Sequence, residues 1–416
     1  MRNNASTLTK TWWWVTLFLI CGSVAVGFVK PRFLPVAPLI FVGSLLVDAV
    51  LRRRLAWRHT PLDFPLLAFV LMTPITLAVT TQWATTLEQV WRLLGGIALF
   101  FAVVYAVQHP QDLRLLFAGI WGGIAALALT SPITANGARL MWEIAALDPL
   151  RGFIHHNVMG ALIAITLPLG LALLFFARKS LSWLEILLYV LGCAAMAFGL
   201  WVVPSRGAWL GVGVAGLLLL LWHSKWTRML LVVACLVGFW LITTDSGRTI
   251  LFSDALLGSS VPGEQNPFQW GLDARWEIWQ RSFALARLFP LTGVGMGTFH
   301  EVMRTAIADD VFIYSWPHAH NIFLQVAIDL GVVGVIAWTI MLGTLGWCCL
   351  YMARHSDGLV RAIGVGGLAS LVAFSVQGVF DAPLWGMVRA GVFVWIVWGI
   401  LIAAWLFTPQ QNTPAT

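Results

Sequence analysis

The chain has 416 residues, of which 59% are hydrophobic and only 10% charged, with a formal net charge of +7. Soluble domains carry about 25% charged residues, so these figures exclude an ordinary soluble enzyme, and a chain this apolar could not remain solvated as a disordered one. No basic run exceeds Arg52-Arg53-Arg54, so the positive balance points to anionic lipid or a phosphate-bearing substrate and not to nucleic acid.

Crossing a bilayer takes about 20 apolar residues. Runs of this kind lie near 11–28, 33–51, 64–81, 90–107, 113–131, 155–177, 183–203, 208–223, 228–244, 320–344, 361–380 and 388–407. The first run follows Arg2 and Lys10 and is not followed by a small-residue cleavage site, so it reads as a retained span and not a signal peptide. The expectation is an all-α polytopic membrane protein of about twelve helices, a single transmembrane domain over 1–416. With the N-terminus cytoplasmic, the inside loops hold 13 of the 25 basic residues and the short outside loops hold seven. Basic residues concentrate on the cytoplasmic side, so both termini are expected there. The abundant tryptophans, 24 in all, suit the water–lipid boundary.

Segment 245–319, between the ninth and tenth spans, is expected to be a long periplasmic loop. It holds eight acidic and five basic residues. Asp273 is placed to cap a helix starting at Ala274-Arg275-Trp276-Glu277 and ending near Phe289, before Pro290. Trp276, Trp279, Phe283 and Ala286 recur at helical spacing, giving a side that lies on the membrane or packs over the bundle. Gly293-Val294-Gly295-Met296-Gly297 has no preceding strand and no following GKS or GKT, so it reads as a flexible connector and not a phosphate loop. The tail Pro409–Thr416 reads as a short disordered end. All five cysteines lie in apolar runs without a CxxC pair, as buried small hydrophobes do.

Polar groups near a membrane face need a cavity or a partner, and four clusters fall on the predicted external side. They are Arg151-Gly152-Phe153-Ile154-His155-His156-Asn157, Pro204-Ser205-Arg206-Gly207-Ala208-Trp209, Arg275 with Trp276 and Trp279, and Pro317-His318-Ala319-His320-Asn321. An isolated arginine beside a span also snorkels to headgroups, and an isolated histidine also serves as an interfacial cap. Two His/Asn motifs on one side are harder to dismiss. His318, Asn321, Gln325 and Asp329 form a stripe descending into the tenth span, where Asp329 must face protein or water. Asp381-Ala382-Pro383 sits at an external turn, which is either an ordinary turn or one that supports the clusters. No acidic pair beside the histidines has divalent-metal spacing, so no metal ligands are assigned.

Together, Ser205-Arg206-Gly207-Ala208-Trp209, Arg275 with Ile278-Trp279, Pro290 with Gly293-Val294-Gly295, and His320-Asn321 followed by Gly331 and Gly334 resemble the O-antigen ligase and polymerase superfamily. The matched core runs from about 150 to 385; the first five spans carry no family motif. The resemblance implies a glycosyltransferase of the bacterial inner membrane, acting at its periplasmic face without metal, nucleotide or other cofactor. Its donor would be an undecaprenyl-diphosphate-linked glycan, and in the ligase branch its acceptor a hydroxyl of lipid A–core. The resemblance places the diphosphate at Arg206 and Arg275, with Arg151 a weaker match, and the base at His320 or its neighbour His318. Asn321, His156 and Asp381 are expected to support them. An O-antigen polymerase or protein O-oligosaccharyltransferase would share these residues. A polytopic lipid-glycan transporter would instead place ionisable residues at the midplane of several spans.

Overall fold

In a computed structural model the structure describes residues 2–54, 57–136, 154–229, 233, 267–306, 316–386 and 391–408. The chain is an all-α polytopic membrane protein. Thirteen helices of eight or more residues are seen among the described residues: α1 (Arg2–Val29), α2 (Val36–Arg52), α3 (Asp63–Val79), α4 (Trp83–Ala106), α5 (Pro110–Leu129), α6 (His156–Phe176), α7 (Trp183–Val202), α8 (Arg206–His223), α9 (Pro267–Leu288), α10 (Phe299–Ala306), α11 (Ile322–His355), α12 (Gly358–Phe380) and α13 (Val392–Trp405).

Eleven of the twelve expected spans coincide with a helix. Nine described helices are long and apolar enough to cross a membrane, while α3 and α13 are shorter apolar helices. The expected ninth span, 228–244, lies largely outside the described residues. A two-residue parallel bridge joins Ala135–Asn136 to Ile154–His155, ahead of α6.

Packing follows the distribution of small residues, which let membrane helices approach closely. The helix α12 packs against both α6 and α8, which also pack on each other. A Cβ at Gly211 would come 2.6 Å from the Ala373 carbonyl oxygen, and one at Gly160 would come 2.7 Å from Ser205 Cβ. These glycines bring α6, α8 and α12 together, and their ends at one end of the bundle frame the candidate site. At the opposite end, Lys10 pairs with Asp112 at 2.8 Å and Arg114 with Glu185 at 3.3 Å.

Three local expectations change. The long helix of segment 245–319 begins at Pro267, six residues before Asp273, so Asp273 is not its cap. Its inward face is Ile278, Ser282 and Leu285, all essentially buried, whereas Trp276 and Phe283 are 61% and 51% exposed. The helix therefore carries a second apolar face, turned outward, beside the one that packs. The glycine stretch after Pro290 is not a flexible connector: residues 293–299 are buried and lie across a break in α11. There the Val294 N–H donates to the Ile328 carbonyl and the Val332 N–H to the Pro290 carbonyl, both at 2.8 Å.

That break explains the two glycine motifs together. Gly331 interrupts α11 with φ +65°, and a Cβ there would come 2.4 Å from the Leu291 carbonyl. Gly293, with φ +67°, would place a Cβ 2.4 Å from the Ile328 oxygen. Each glycine takes a left-handed conformation costly for other residues while admitting the other strand's backbone. The strap is also tied to α3 and α4, with Met296 N–H donating to Thr76 Oγ1 and Thr86 Oγ1 donating to the Met296 carbonyl, each at 2.9 Å.

Candidate functional site

A cavity of about 370 Å³ opens where α6, α8, α9 and α12 converge. Its wall contains His156 and Asn157 from the start of α6, Ser205, Arg206 and Gly207 from the start of α8, Arg275 from α9, and Gln377, Phe380 and Asp381 from the end of α12. Two helix N-termini thus border one space, and each brings the positive end of a helix dipole. Burial lowers the proton affinity of Arg275, Asp381 opposes that, and Arg206 lowers it further. Arg275 Nε donates to the Phe380 carbonyl at 2.9 Å, which fixes the side chain against the end of α12. Gln377 Nε2 donates to the Asn157 carbonyl at 3.1 Å, tying α12 to the start of α6.

Asp381 links this cavity to the histidines. His320 Nδ1 lies 3.1 Å, and His318 Nδ1 3.7 Å, from Asp381 Oδ1. The two imidazole centres are 4.2 Å apart. Burial by itself would push the Asp381 carboxyl up. The contact with His320, the nearby His318 ring and the Ala382 N–H at 2.8 Å outweigh it and hold the group well below the usual carboxylate range. His318 behaves differently: burial lowers it to about 4, against the opposing pull of Asp381. Its Nδ1 also accepts the His320 backbone N–H at 3.2 Å, so His318 is a neutral ring committed to the loop. His155 joins the same electrostatic cluster and is likewise lowered, first by burial and then by His320, with Asp381 opposing.

The loop carrying His320 is held from several sides. His320 adopts φ +48°, unusual for a residue with a side chain. Trp279 Nε1 donates to its carbonyl at 3.2 Å, and Trp316 stands edge-on to its ring at 5.3 Å. Asn321 caps α11, its Oδ1 accepting from the N–H groups of Phe323 and Leu324 at 2.9 and 3.1 Å. Beneath it, the Ala319 N–H donates to Gln325 Oε1 at 2.8 Å, and Gln325 Nε2 donates to Asp329 Oδ1 at 2.9 Å. Asp329 also accepts from Trp385 Nε1 at 2.9 Å and the Gly297 N–H at 3.4 Å. The deep carboxylate expected to face protein does so, and it anchors a chain of hydrogen bonds ending between the two histidines.

Of the sequence-derived candidates, Arg206, Arg275, His156 and Asp381 share the cavity wall, and His318, His320 and Asn321 lie on the adjoining loop. Arg151 lies outside the described residues. The spacing of acidic residues gave no sign of a metal site, yet His318, His320 and Asp381 bring three ligand atoms within 4.8 Å of one another, a set able to hold a metal ion. That cluster depends on residues 61 positions apart meeting in space. Gln377 and Trp385 were missed. An amide inside the apolar run 361–380 is a signal that could have identified Gln377; Trp385 has no such mark.

The chain matches a family profile described as O-Antigen ligase over residues 191–339, a stretch that carries Arg206, Arg275, His318 and His320. It is also 27% identical, over 316 residues, to the exopolysaccharide production protein ExoQ of Rhizobium meliloti (strain 1021). Both matches support membership of the O-antigen ligase/polymerase superfamily. The ExoQ match covers 68% of this chain and 66% of the relative, just under two thirds of that protein's length. The matched region begins within α7 and ends within α11, so it includes the glycine stretch 293–299, the break at Gly331 and both cavity arginines. Asp381, which faces both histidines, falls beyond it.

Proposed function

We propose that the chain is a member of this superfamily and an O-antigen ligase, moving a glycan from undecaprenyl diphosphate to a hydroxyl of lipid A–core. The observation that carries the reading is the cavity with two arginines and two helix N-termini on its wall, joined through Asp381 to a histidine. Its volume falls within the usual span of small-ligand pockets, about 300–1,000 Å³. A lipid diphosphate gains negative charge as the sugar–phosphate bond breaks. Guanidinium groups bind such oxygens bidentately, and donors aimed at developing charge supply the largest part of many rate enhancements.

In this mechanism the acceptor oxygen attacks the anomeric carbon, the bond from that carbon to the diphosphate oxygen breaks, and lipid diphosphate departs with the bonding electrons. The acceptor proton passes to His320. Asp381 faces Nδ1 of that ring, which leaves Nε2 to take the proton, as in other histidines oriented by a carboxylate. His318 is the poorer base because its Nδ1 already accepts a backbone N–H. Single displacement inverts the anomeric centre. The activated ester supplies the driving force, so the scheme uses neither nucleotide nor metal. Thirteen basic residues against seven favour a cytoplasmic location for the end opposite the cavity; the cavity then opens to the periplasm of the inner membrane, where Arg151 of the preceding loop would assist.

A second reading within the superfamily is a polymerase, favoured by the relative named for exopolysaccharide production. Purified protein in vesicles, supplied with lipid-diphosphate glycan and lipid A–core without nucleotide, separates the two. Glycan on the core supports the ligase, elongation of the lipid-linked glycan supports the polymerase, and neither product refutes both.

A further inference from the structure

The end of the bundle opposite the cavity carries a second crevice. Arg52 at the end of α2, Trp57 and Arg58 from the following loop, and Tyr105 and Gln108 around the end of α4 enclose about 320 Å³. An apolar groove of about 260 Å³ adjoins it, lined by Phe41, Val42, Leu67 and Ile97 among others from α2, α3 and α4. Trp57 lines both spaces. Its indole packs against Phe101 with ring centres 4.9 Å apart and donates to Asp63 Oδ2 at 2.9 Å.

Arg58 is built into this mouth. Its backbone N–H donates to the Tyr105 hydroxyl at 2.8 Å, and its Nη1 donates to the carbonyls of Val104 and Val107, which α4 leaves open at its C-terminus. Arg52 pairs with Asp48 at 2.9 Å; Arg58 has no carboxylate within 4 Å among the described residues. Neutral carbonyls leave the charge of this half-buried guanidinium without a counter-ion at the mouth of the apolar groove. Free phosphate would leave the groove empty, and an uncharged apolar molecule would leave the mouth unmatched.

We propose that this crevice binds one anionic glycerophospholipid of the adjoining leaflet, its phosphate against Arg52 and Arg58 and an acyl chain along Phe41, Val42, Leu67 and Ile97. Basic pockets between membrane helices take anionic headgroups in this way, each arginine contributing about 1 kcal/mol near the surface. The site is independent of the transfer chemistry at the other end. Native mass spectrometry of delipidated protein, titrated with phosphatidylglycerol or phosphatidylcholine, tests it. One phosphatidylglycerol should bind at least about fivefold more tightly than phosphatidylcholine, the factor that one such arginine contact supplies. Arg52→Ala should weaken it about fivefold by the same arithmetic. Val42→Trp, at an exposed position on the groove wall, should block the groove and weaken binding as much without touching a charge. Lys179→Gln, at an exposed basic residue of the same end, should leave binding unchanged. Equal binding of the two lipids, wild-type binding by both Arg52→Ala and Val42→Trp, or an equal loss in Lys179→Gln would each overturn the proposal.

Discussion

Replacing Asp329 by asparagine probes how the histidine loop is held. Asp329 Oδ1 accepts from Gln325 Nε2 and, more weakly, from the Gly297 N–H, while Oδ2 accepts from Trp385 Nε1. Asparagine keeps the shape but offers one oxygen and one NH₂. Whichever way the amide turns, a buried donor meets another donor. Leaving one such group unsatisfied costs about 1–3 kcal/mol. With the oxygen toward Trp385, Gln325 loses its anchor, and through it the Ala319 N–H between the two histidines. If about half of that cost, about 1 kcal/mol, reaches the loop, kcat falls about fivefold, since about 1.4 kcal/mol is a factor of ten. KM for the donor should hardly change, because Asp329 and Gln325 do not line the cavity. Initial rates of glycan transfer by the purified variant, beside its thermal unfolding profile, measure both effects. A variant less stable but with wild-type kcat would show that Asp329 holds the bundle and not the loop, and would refute the argument.

The strap crossing α11 makes Gly331→Ala costly: φ +65° disfavours a side chain, and the new Cβ would lie 2.4 Å from the Leu291 carbonyl. A loss of at least about 2 kcal/mol is expected from strain and overpacking, seen as a lower unfolding temperature; unchanged stability would contradict the packing described. His318, lowered to about 4 from 6.5, stays neutral in the fold while the unfolded chain takes up its proton. Stability should therefore fall as pH drops from about 6.5 toward 4, by up to about 3 kcal/mol from this residue. Asp381, lowered in the fold, adds a further loss at still lower pH as its carboxylate protonates. Unfolding curves of His318→Gln should lose the upper part of this slope, and an unchanged slope would contradict a buried neutral ring. Transfer should persist in a chelator with no divalent metal added; loss restored by a metal would instead assign one to His318, His320 and Asp381.

The fold was largely legible because a bilayer forces apolar runs of span length, and eleven of the twelve runs coincide with helices. Helix phase was harder. Trp276, Trp279, Phe283 and Ala286 have the right period, yet Ile278, Ser282 and Leu285 are the buried face, because lipid rewards an outward apolar side as readily as protein does. Arg206, Arg275, His318 and His320 were legible as polar exceptions at span ends. Asp381 was legible as a turn residue in a supporting role, but nothing in Asp381-Ala382-Pro383 encodes its approach to His320 across 61 residues. The two glycine motifs were likewise visible separately, and only the close approach of two backbones shows why both are needed.

The central claim is that this site cleaves a sugar–diphosphate bond with arginine and histidine side chains. The most direct measurement is release of lipid diphosphate, alongside glycan transfer, by wild type, His320→Ala, His318→Ala and the double variant Arg206→Ala/Arg275→Ala. Equal amounts of lipid diphosphate and transferred glycan are expected from wild type, near-complete loss from His320→Ala and from the double variant, and a smaller loss from His318→Ala. Undiminished release by the double variant, or by His320→Ala, would contradict the account.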